Sequence, residues 1–307
     1  MSEPHITIMM ASYNGARFLP AQLESLLAQT HRNWSLVVSD DGSRDATVPL
    51  LLAFDRAHPQ HHLRLLNGPR QGASARNFMS MLTRPDLRMG MVALADQDDV
   101  WLPDKLARAV DHLGQYPAML PAIYASESML TDKNLVPLRQ KTANVATPSF
   151  RNALVQNLFS GHSTVLNAAA VDLVKSAGRP HNIAFHDWWL YQLVAGAGGF
   201  CVLDPAQTVL YRQHGRNVFG ASQGVFGAIK RLRHLMRDDY GVWLAAHWRA
   251  LQDVQQFLTP EARDLVRDLL NHPRQSCRAA QFRRLRLHRG SVQGTAALWL
   301  AARLGWL

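Results

Sequence analysis

The chain is poor in cysteine: Cys201 and Cys277 are the only two among 307 residues. They lie far apart and have no metal-site spacing. That argues against a disulfide framework or a thiolate metal centre and makes a reducing cytoplasm the default. Also missing is any run of about 18 uncharged apolar residues, so no transmembrane helix is expected. The opening MSEPHITIMMASYNG has an acidic residue and no basic cluster before its apolar stretch, which Ser, Asn and Gly cut short. It reads as a first β-strand and not as a signal peptide. No internal repeat, low-complexity tract, P-loop or GxGxxG fingerprint occurs.

What is present is unevenly distributed. The net charge is +10, yet the stretch from Gly220 onward carries 14 Lys/Arg against 6 Asp/Glu, a local +8. The first two thirds are close to neutral and the last third is basic, a core with an attachment segment in outline. Before Gly220, short apolar runs alternate with helical periodicities. Ile6–Asn14, Trp34–Ser43, Leu63–Gly68 and Met91–Asp96 read as strands. Leu19, Leu23, Leu26 and Leu27 fall on one helical face, as do Leu106, Val110 and Leu113 behind a Pro at a helix start. This alternation predicts βαβ units and a parallel α/β sheet, with ligands outside the C-terminal strand ends. Past Pro121 the pattern loosens. A helix is expected over His186–Gly199, separate strands at FCVLD and TVLYRQHG, and basic helices from about Gln223 to the end.

Polar clusters follow the apolar strands. ALADQDDVWLPDKL brings Asp96, Asp98 and Asp99 together behind a buried strand. Crowded carboxylates cost electrostatic energy unless a cation offsets them, and hard oxygen ligands suit Mg²⁺ or Mn²⁺. The competing reading is a solvated turn with one Asp capping the helix at Pro103. SDDGS ends the second strand with Asp40 and Asp41, able to accept hydrogen bonds from a base or ribose, or simply forming an Asp-Gly turn. NGPRQGASARNF offers Arg70 and Arg76 at a helix start that favours anions. HDWW carries Asp187, a general base or an N-cap, followed by Trp188 and Trp189. YRQHGRN groups Arg212, His214 and Arg216, contacts for a diphosphate or, through His214, for a metal; the bland alternative is a polar loop.

Taken in series, SYNG, SDDGS, ARN, ADQDD, SGHS, HDWW and YRQHGRN resemble the family 2 glycosyltransferases of GT-A fold over about Ile6 to Gly220. The likeness is strongest to bacterial enzymes of the rhamnosyltransferase type that build surface polysaccharides such as O-antigen. It implies a Rossmann-like mixed sheet flanked by helices over residues 1–220, with a basic helical extension over 221–307. It further implies an inverting transfer of one sugar from a dTDP- or UDP-sugar to a saccharide or polyprenyl-linked acceptor. By the resemblance, Tyr13, Asp41, Arg76, Asp96, Asp99 and Arg212 face the nucleotide and donor. Asp98 becomes the main metal ligand with His214, Gly161, His162 and Trp188 sit toward the acceptor, and Asp187 deprotonates the acceptor hydroxyl. His186 stands where many relatives have Glu. The processive QxxRW motif is absent, which favours single-sugar transfer.

The tail RRLRLHRGSVQGTAALWLAARLGWL joins Arg283, Arg284, Arg286 and Arg289 to Leu298, Trp299, Leu300, Leu304, Trp306 and Leu307. Basic residues beside Trp and Leu suit an anionic bilayer surface, so a cytoplasmic, peripheral place on the inner membrane face is expected; an ordinary helical subdomain is the alternative. Three rivals compete with the glycosyltransferase reading. A sugar-nucleotide pyrophosphorylase would need a Gly- and Arg-rich phosphate loop that ASYNGARF lacks. A nucleic-acid binder would need a recognition motif beside its basic charge, and none is present, so no nucleic-acid partner is expected. A catalytically silent binding module is disfavoured by the acidic trio and Asp187.

Overall fold

A computed structural model describes residues 3–87, 89–138, 146–214, 239–271 and 277–307. One eight-stranded sheet runs through it in the order β3-β2-β1-β4-β7-β6-β8-β5. Its strands are β1 (Ile6–Ser12), β2 (Trp34–Asp40), β3 (Arg64–Asn67), β4 (Met91–Asp96), β5 (Val100–Trp101), β6 (Ala122–Thr131), β7 (Val165–Leu166) and β8 (Phe200–Arg212). The β3-β2-β1-β4 half is parallel, and β7 joins it antiparallel between β4 and β6.

Each strand supplies both faces by alternation. Ile6, Ile8 and Met10 of β1 enter one apolar layer and Met9 enters the other. The first layer meets α1 (Leu19–Leu27), α2 (Thr47–Ala57) and α4 (Lys105–Leu113). The second meets α3 (Ser74–Leu82), α5 (Phe150–Ala153), α6 (Ala168–Ala177) and α7 (His186–Gly196). A sheet covered on both sides needs such apolar strands, which is why they read so clearly from the sequence.

Two expectations needed correction here. A ten-residue strand in the middle of the sheet, β6, lies where the pattern had looked loose. FCVLD and TVLYRQHG are not two strands: Phe200 to Arg212 is one, paired parallel with β6. Pro205 sits where the register jumps from Ser126↔Asp204 to Glu127↔Gln207, a bulge that tolerates a residue without an N–H. Asp204 turns inward there and binds Arg108 (2.8 Å) and the Tyr124 hydroxyl (2.8 Å).

Beyond residue 238 come α8 (Asp239–Asp253), α9 (Pro260–Leu270), α10 (Arg278–Arg284) and α11 (Val292–Arg303). The expected boundary between residues 220 and 221 lies outside the described residues. The helices after it share an apolar core with α5 and α7: Trp248 donates to the Leu154 carbonyl (2.9 Å), and Leu244, Phe282 and Leu298 are buried in the same layer. Of the tail residues expected at a membrane, Leu298 is buried, Trp299 and Leu307 pack on the core, and Leu300 and Leu304 face outward. No described helix is long and apolar enough to cross a membrane.

Candidate active site

The switch in connection direction falls between β1 and β4, and a cavity of about 1920 Å³ opens at their C-terminal ends. Tyr13, Asp41, Arg76, Asp96 and Asp98 border it on one side, Gly161, His162 and Asp187 on the other.

Gln97, between the two cavity carboxylates, was not anticipated from the sequence. Its side-chain amide accepts from the Tyr13 N–H (3.0 Å) and donates to the Tyr13 carbonyl (3.0 Å). This two-way clip ties the end of β4 to the end of β1. Gly15 is required beneath it, because a Cβ there would come within 2.0 Å of the Gln97 amide oxygen. Tyr13, 53 % exposed, is left with its ring free to meet a ligand. A polar residue set between two acidic ones was the only signal for Gln97 in the sequence.

The two aspartates of SDDGS divide their work. Asp40 is buried and accepts from Ser12 Oγ (2.8 Å), the Ser43 N–H (2.7 Å) and Ser43 Oγ (2.6 Å), so it builds the turn. Asp41 accepts from the Arg70 and Gly72 N–H groups (2.5 and 3.0 Å) and thereby brings the Arg76 segment to the cavity.

The acidic trio is held by the end of β8. The Arg212 backbone N–H donates to Asp99 Oδ1 (3.1 Å), and its guanidinium Nε donates to the Asp98 carbonyl (2.8 Å). His214 Nε2 meets Asp98 Oδ2 at 2.7 Å. Phe18 supports both, stacked on the His214 ring and lying under the Arg212 guanidinium. Two sequence assignments therefore change place. Asp99 is fully buried and does not border the cavity, and Arg212 is a buried brace instead of a cavity residue. Arg216 lies outside the described residues.

Burial first, then the charges of Asp98 and Asp187, push Asp96 up to about 7. Burial, then the Asp96 and Asp98 charges, also raises Asp99 well above the usual carboxylate range. His162 is driven down to about 3 by burial, with the Lys105 charge adding to it, so its ring is neutral; Nε2 contacts Ser128 Oγ at 2.7 Å. Among the described residues, candidate ligand atoms of Asp96, Asp99 and His162 lie within 4.8 Å of one another, and one oxygen of Asp99 has no hydrogen-bond partner. Carboxylate oxygens are the donors that Mg²⁺ and Mn²⁺ take, so the two aspartates fit a divalent ion, with the neutral imidazole beside them. An ion that also binds a ligand must be reached from the cavity, which favours Asp98, His214 and Asp96 over the enclosed Asp99.

Asp187 stands in the first turn of α7, but it does not cap the helix; Phe185 holds that position. Its Oδ2 accepts from the Gly161 N–H (3.0 Å) and its Oδ1 from the Trp188 N–H (2.8 Å). Both oxygens are thus oriented by backbone, and the carboxylate borders the cavity. Trp188 is mainly core: it is buried and donates Nε1 to the Ala153 carbonyl (2.7 Å). Tyr240 and Trp243 of α8 and Arg289, from the connection between α10 and α11, complete this side of the cavity. The sequence singled out Arg289 only as part of a basic tail and gave no motif for Tyr240 and Trp243, which belong to an ordinary periodic helix.

A family model described as Glycosyl transferase family 2 matches residues 7–169. The chain belongs to glycosyltransferase family 2. It is 28% identical over 229 residues to the dTDP-rhamnosyl transferase RfbG of Shigella flexneri, covering 73% of this chain and 78% of that protein. It is 34% identical over 108 residues to the UDP-Glc:alpha-D-GlcNAc-diphosphoundecaprenol beta-1,3-glucosyltransferase WfgD of Escherichia coli, covering 34% of this chain and 40% of that one. Among solved structures, the mannosyltransferase PcManGT from Pyrobaculum calidifontis, in complex with GDP-Man and Mn²⁺, aligns with a TM-score of 0.55 at 16% identity. That alignment covers 97% of this chain and 85% of the other. S. aureus TarS 1-349 in complex with UDP-GlcNAc gives 0.54 at 15% identity over 92% and 90%. The fold of this family 2 glycosyltransferase is therefore GT-A.

Proposed function

We propose that this glycosyltransferase moves one sugar, with inversion, from a nucleoside diphosphate sugar to a saccharide or polyprenyl-linked saccharide acceptor in surface polysaccharide synthesis. The observation carrying this reading is Asp187: a carboxylate fixed by two backbone N–H groups, facing a cavity whose opposite wall holds Asp96 and Asp98. Tyr13, Asp41 and Arg76 face the nucleotide, and Gly161 and His162 the acceptor. Asp187 takes the proton from the acceptor hydroxyl as that oxygen bonds to the anomeric carbon. The anomeric C–O bond to the diphosphate breaks in the same displacement, and the nucleoside diphosphate leaves with the electron pair. A single displacement inverts the centre and needs no protein nucleophile, unlike a retaining glycosidase. Asp98 and His214, with Asp96 alongside, would hold Mg²⁺ or Mn²⁺, which when bound offsets negative charge on the leaving diphosphate.

The similarity to the dTDP-rhamnosyl transferase RfbG and to the glucosyltransferase WfgD supports a dTDP- or UDP-linked donor, rhamnose first, and a lipid diphosphate as acceptor carrier. The basic 221–307 extension supports a working place on the inner face of the cell membrane, with residues 1–220 as the GT-A unit. The test is transfer from dTDP-rhamnose and from UDP-sugars with and without Mn²⁺, followed by the anomeric configuration of the product. A retained configuration, or a full rate for Asp187→Asn, would overturn the reading.

A further inference from the structure

The acceptor end of the cavity contains a cation that the transfer chemistry leaves unused. Arg289 is half-buried there, its Nη1 on the Tyr240 hydroxyl (3.2 Å) and its backbone N–H on Thr295 Oγ1 (2.9 Å). Among the described residues it has no carboxylate partner. The same side chain borders a second hollow of about 400 Å³, which Val292, Ala296 and Trp299 help to line. Arg289 thus borders both the large cavity and a small, mostly apolar hollow. A half-buried guanidinium without an acid is suited to a phosphate, which it can grip with two N–H groups at once.

Beyond the hollow, α11 exposes a row of apolar side chains. Val292 is 83 % exposed, Leu300 55 % and Leu304 50 %; Ala296 is exposed as well. These four positions recur every fourth residue and form one ridge, while Leu298, Ala301 and Ala302 face the core. Exposed Arg283, Arg286 and Arg303 accompany the ridge, and Arg283 lies over the Trp299 ring. Apolar side chains with neighbouring cations match the boundary of an anionic bilayer.

Asp187, then Arg289, then the α11 ridge reproduce the order of groups in one kind of amphiphile: a sugar hydroxyl, a diphosphate, a hydrocarbon chain. We infer that Arg289 and the hollow beside it form a subsite for the diphosphate of a lipid-linked acceptor, and that the outer ridge of α11 rests in the bilayer carrying that lipid. This deepens the proposed function and rests on its lipid-linked acceptor.

The test is vesicle flotation of the full chain. One set of phosphatidylcholine vesicles carries a prenyl diphosphate; the other carries phosphatidylglycerol at equal surface charge. The wild type is expected to bind the prenyl diphosphate vesicles about tenfold more tightly, the worth of one charge-assisted hydrogen-bonded contact. Arg289→Gln, which keeps a donor for Tyr240 and removes the charge, should abolish that preference. Leu300→Asp with Leu304→Asp, both on the exposed face, should weaken binding to both vesicle sets. Equal binding of the wild type to the two sets, a preference surviving in Arg289→Gln, or competition by inorganic diphosphate as strong as by the lipid form would overturn the subsite. Binding of UDP or dTDP with Mn²⁺ to the same preparation reports on the glycosyltransferase reading alone, so the two failures are separable.

Discussion

The two walls of the cavity are made in different ways. The wall proposed for the donor comes from strand ends: Ser12–Tyr13 at the end of β1, Asp40–Asp41 at the end of β2 and Asp96–Asp98 at the end of β4, tied by hydrogen bonds between these ends and the loops beside them. The wall proposed for the acceptor is assembled from segments far apart in the chain, namely Gly161, Asp187, Tyr240 and Arg289, and it leans on helices that pack among themselves. A parallel sheet delivers binding groups to one edge regardless of loop length, which favours a common donor site. A helical wall can be rebuilt without disturbing that edge, which suits a site that must meet its own acceptor. If this division is real, chemistry and donor binding should separate under mutation.

The largest separation is expected at Asp187. Asp187→Asn keeps an oxygen for the Gly161 N–H but cannot take a proton, so kcat should fall about a thousandfold, within the usual range for a lost general base. Nucleotide affinity measured by calorimetry should stay unchanged. Weakened nucleotide binding in this variant would erase the distinction between the walls. Asp98→Ala should act the other way. It removes the partner of His214, and Mn²⁺-dependent nucleotide affinity should fall by roughly a hundredfold, on the scale of losses at metal sites. Undiminished affinity would take Asp98 out of the metal set.

The same division explains what the sequence made legible. β1, β2 and β4 are buried on both faces, so they appear as apolar runs, and each ends in polar residues that stand out against them. Asp96, Asp98 and Asp187 could be named before any coordinates. β6 could not, because Ser126, Glu127 and Ser128 interrupt it at the register shifts opposite Pro205. Asp99 and Arg212 were legible as important but not as buried: adjacency to a motif does not say which side of the chain faces the cavity. Tyr240 carried no signal, since a helix with an ordinary apolar period gives no hint of which end reaches a cleft some 50 residues away in sequence, and Arg289 stood out only as one of several tail arginines, not as a cavity residue.

Proton competition offers a smaller effect that is specific to the donor wall. Asp96 is held at about 7 by burial, helped by the charges of Asp98 and Asp187. Below that pH the group keeps a proton that an incoming cation must displace; above it none is lost. Mn²⁺ affinity should therefore fall about tenfold per pH unit on acidification below neutrality and level off on the alkaline side. Calorimetry from about pH 5 to about pH 8 would show it, and a flat profile would remove Asp96 from the site.

The smallest expected effect tests whether the walls are coupled at all. A Cβ on Gly161 would come within 2.7 Å of His186 Nε2, so Gly161→Ala must turn the imidazole. That ring is buried and stacked on Phe78 of α3, with 4.2 Å between centroids, and α3 also carries Arg76 and Asn77 on the donor side. His186 is thus the bridge between the two walls. Turning one buried side chain off its preferred rotamer costs about 1 kcal/mol, so the acceptor KM should rise about fivefold. Phe78 is fixed in the apolar layer by Met79, Met81 and Leu82 around it and should absorb most of the shift. Nucleotide affinity should consequently change by less than about twofold. A drop in nucleotide affinity as large as the rise in acceptor KM would mean that the histidine transmits displacement from one wall to the other, and that the donor edge is not independent of the acceptor it serves.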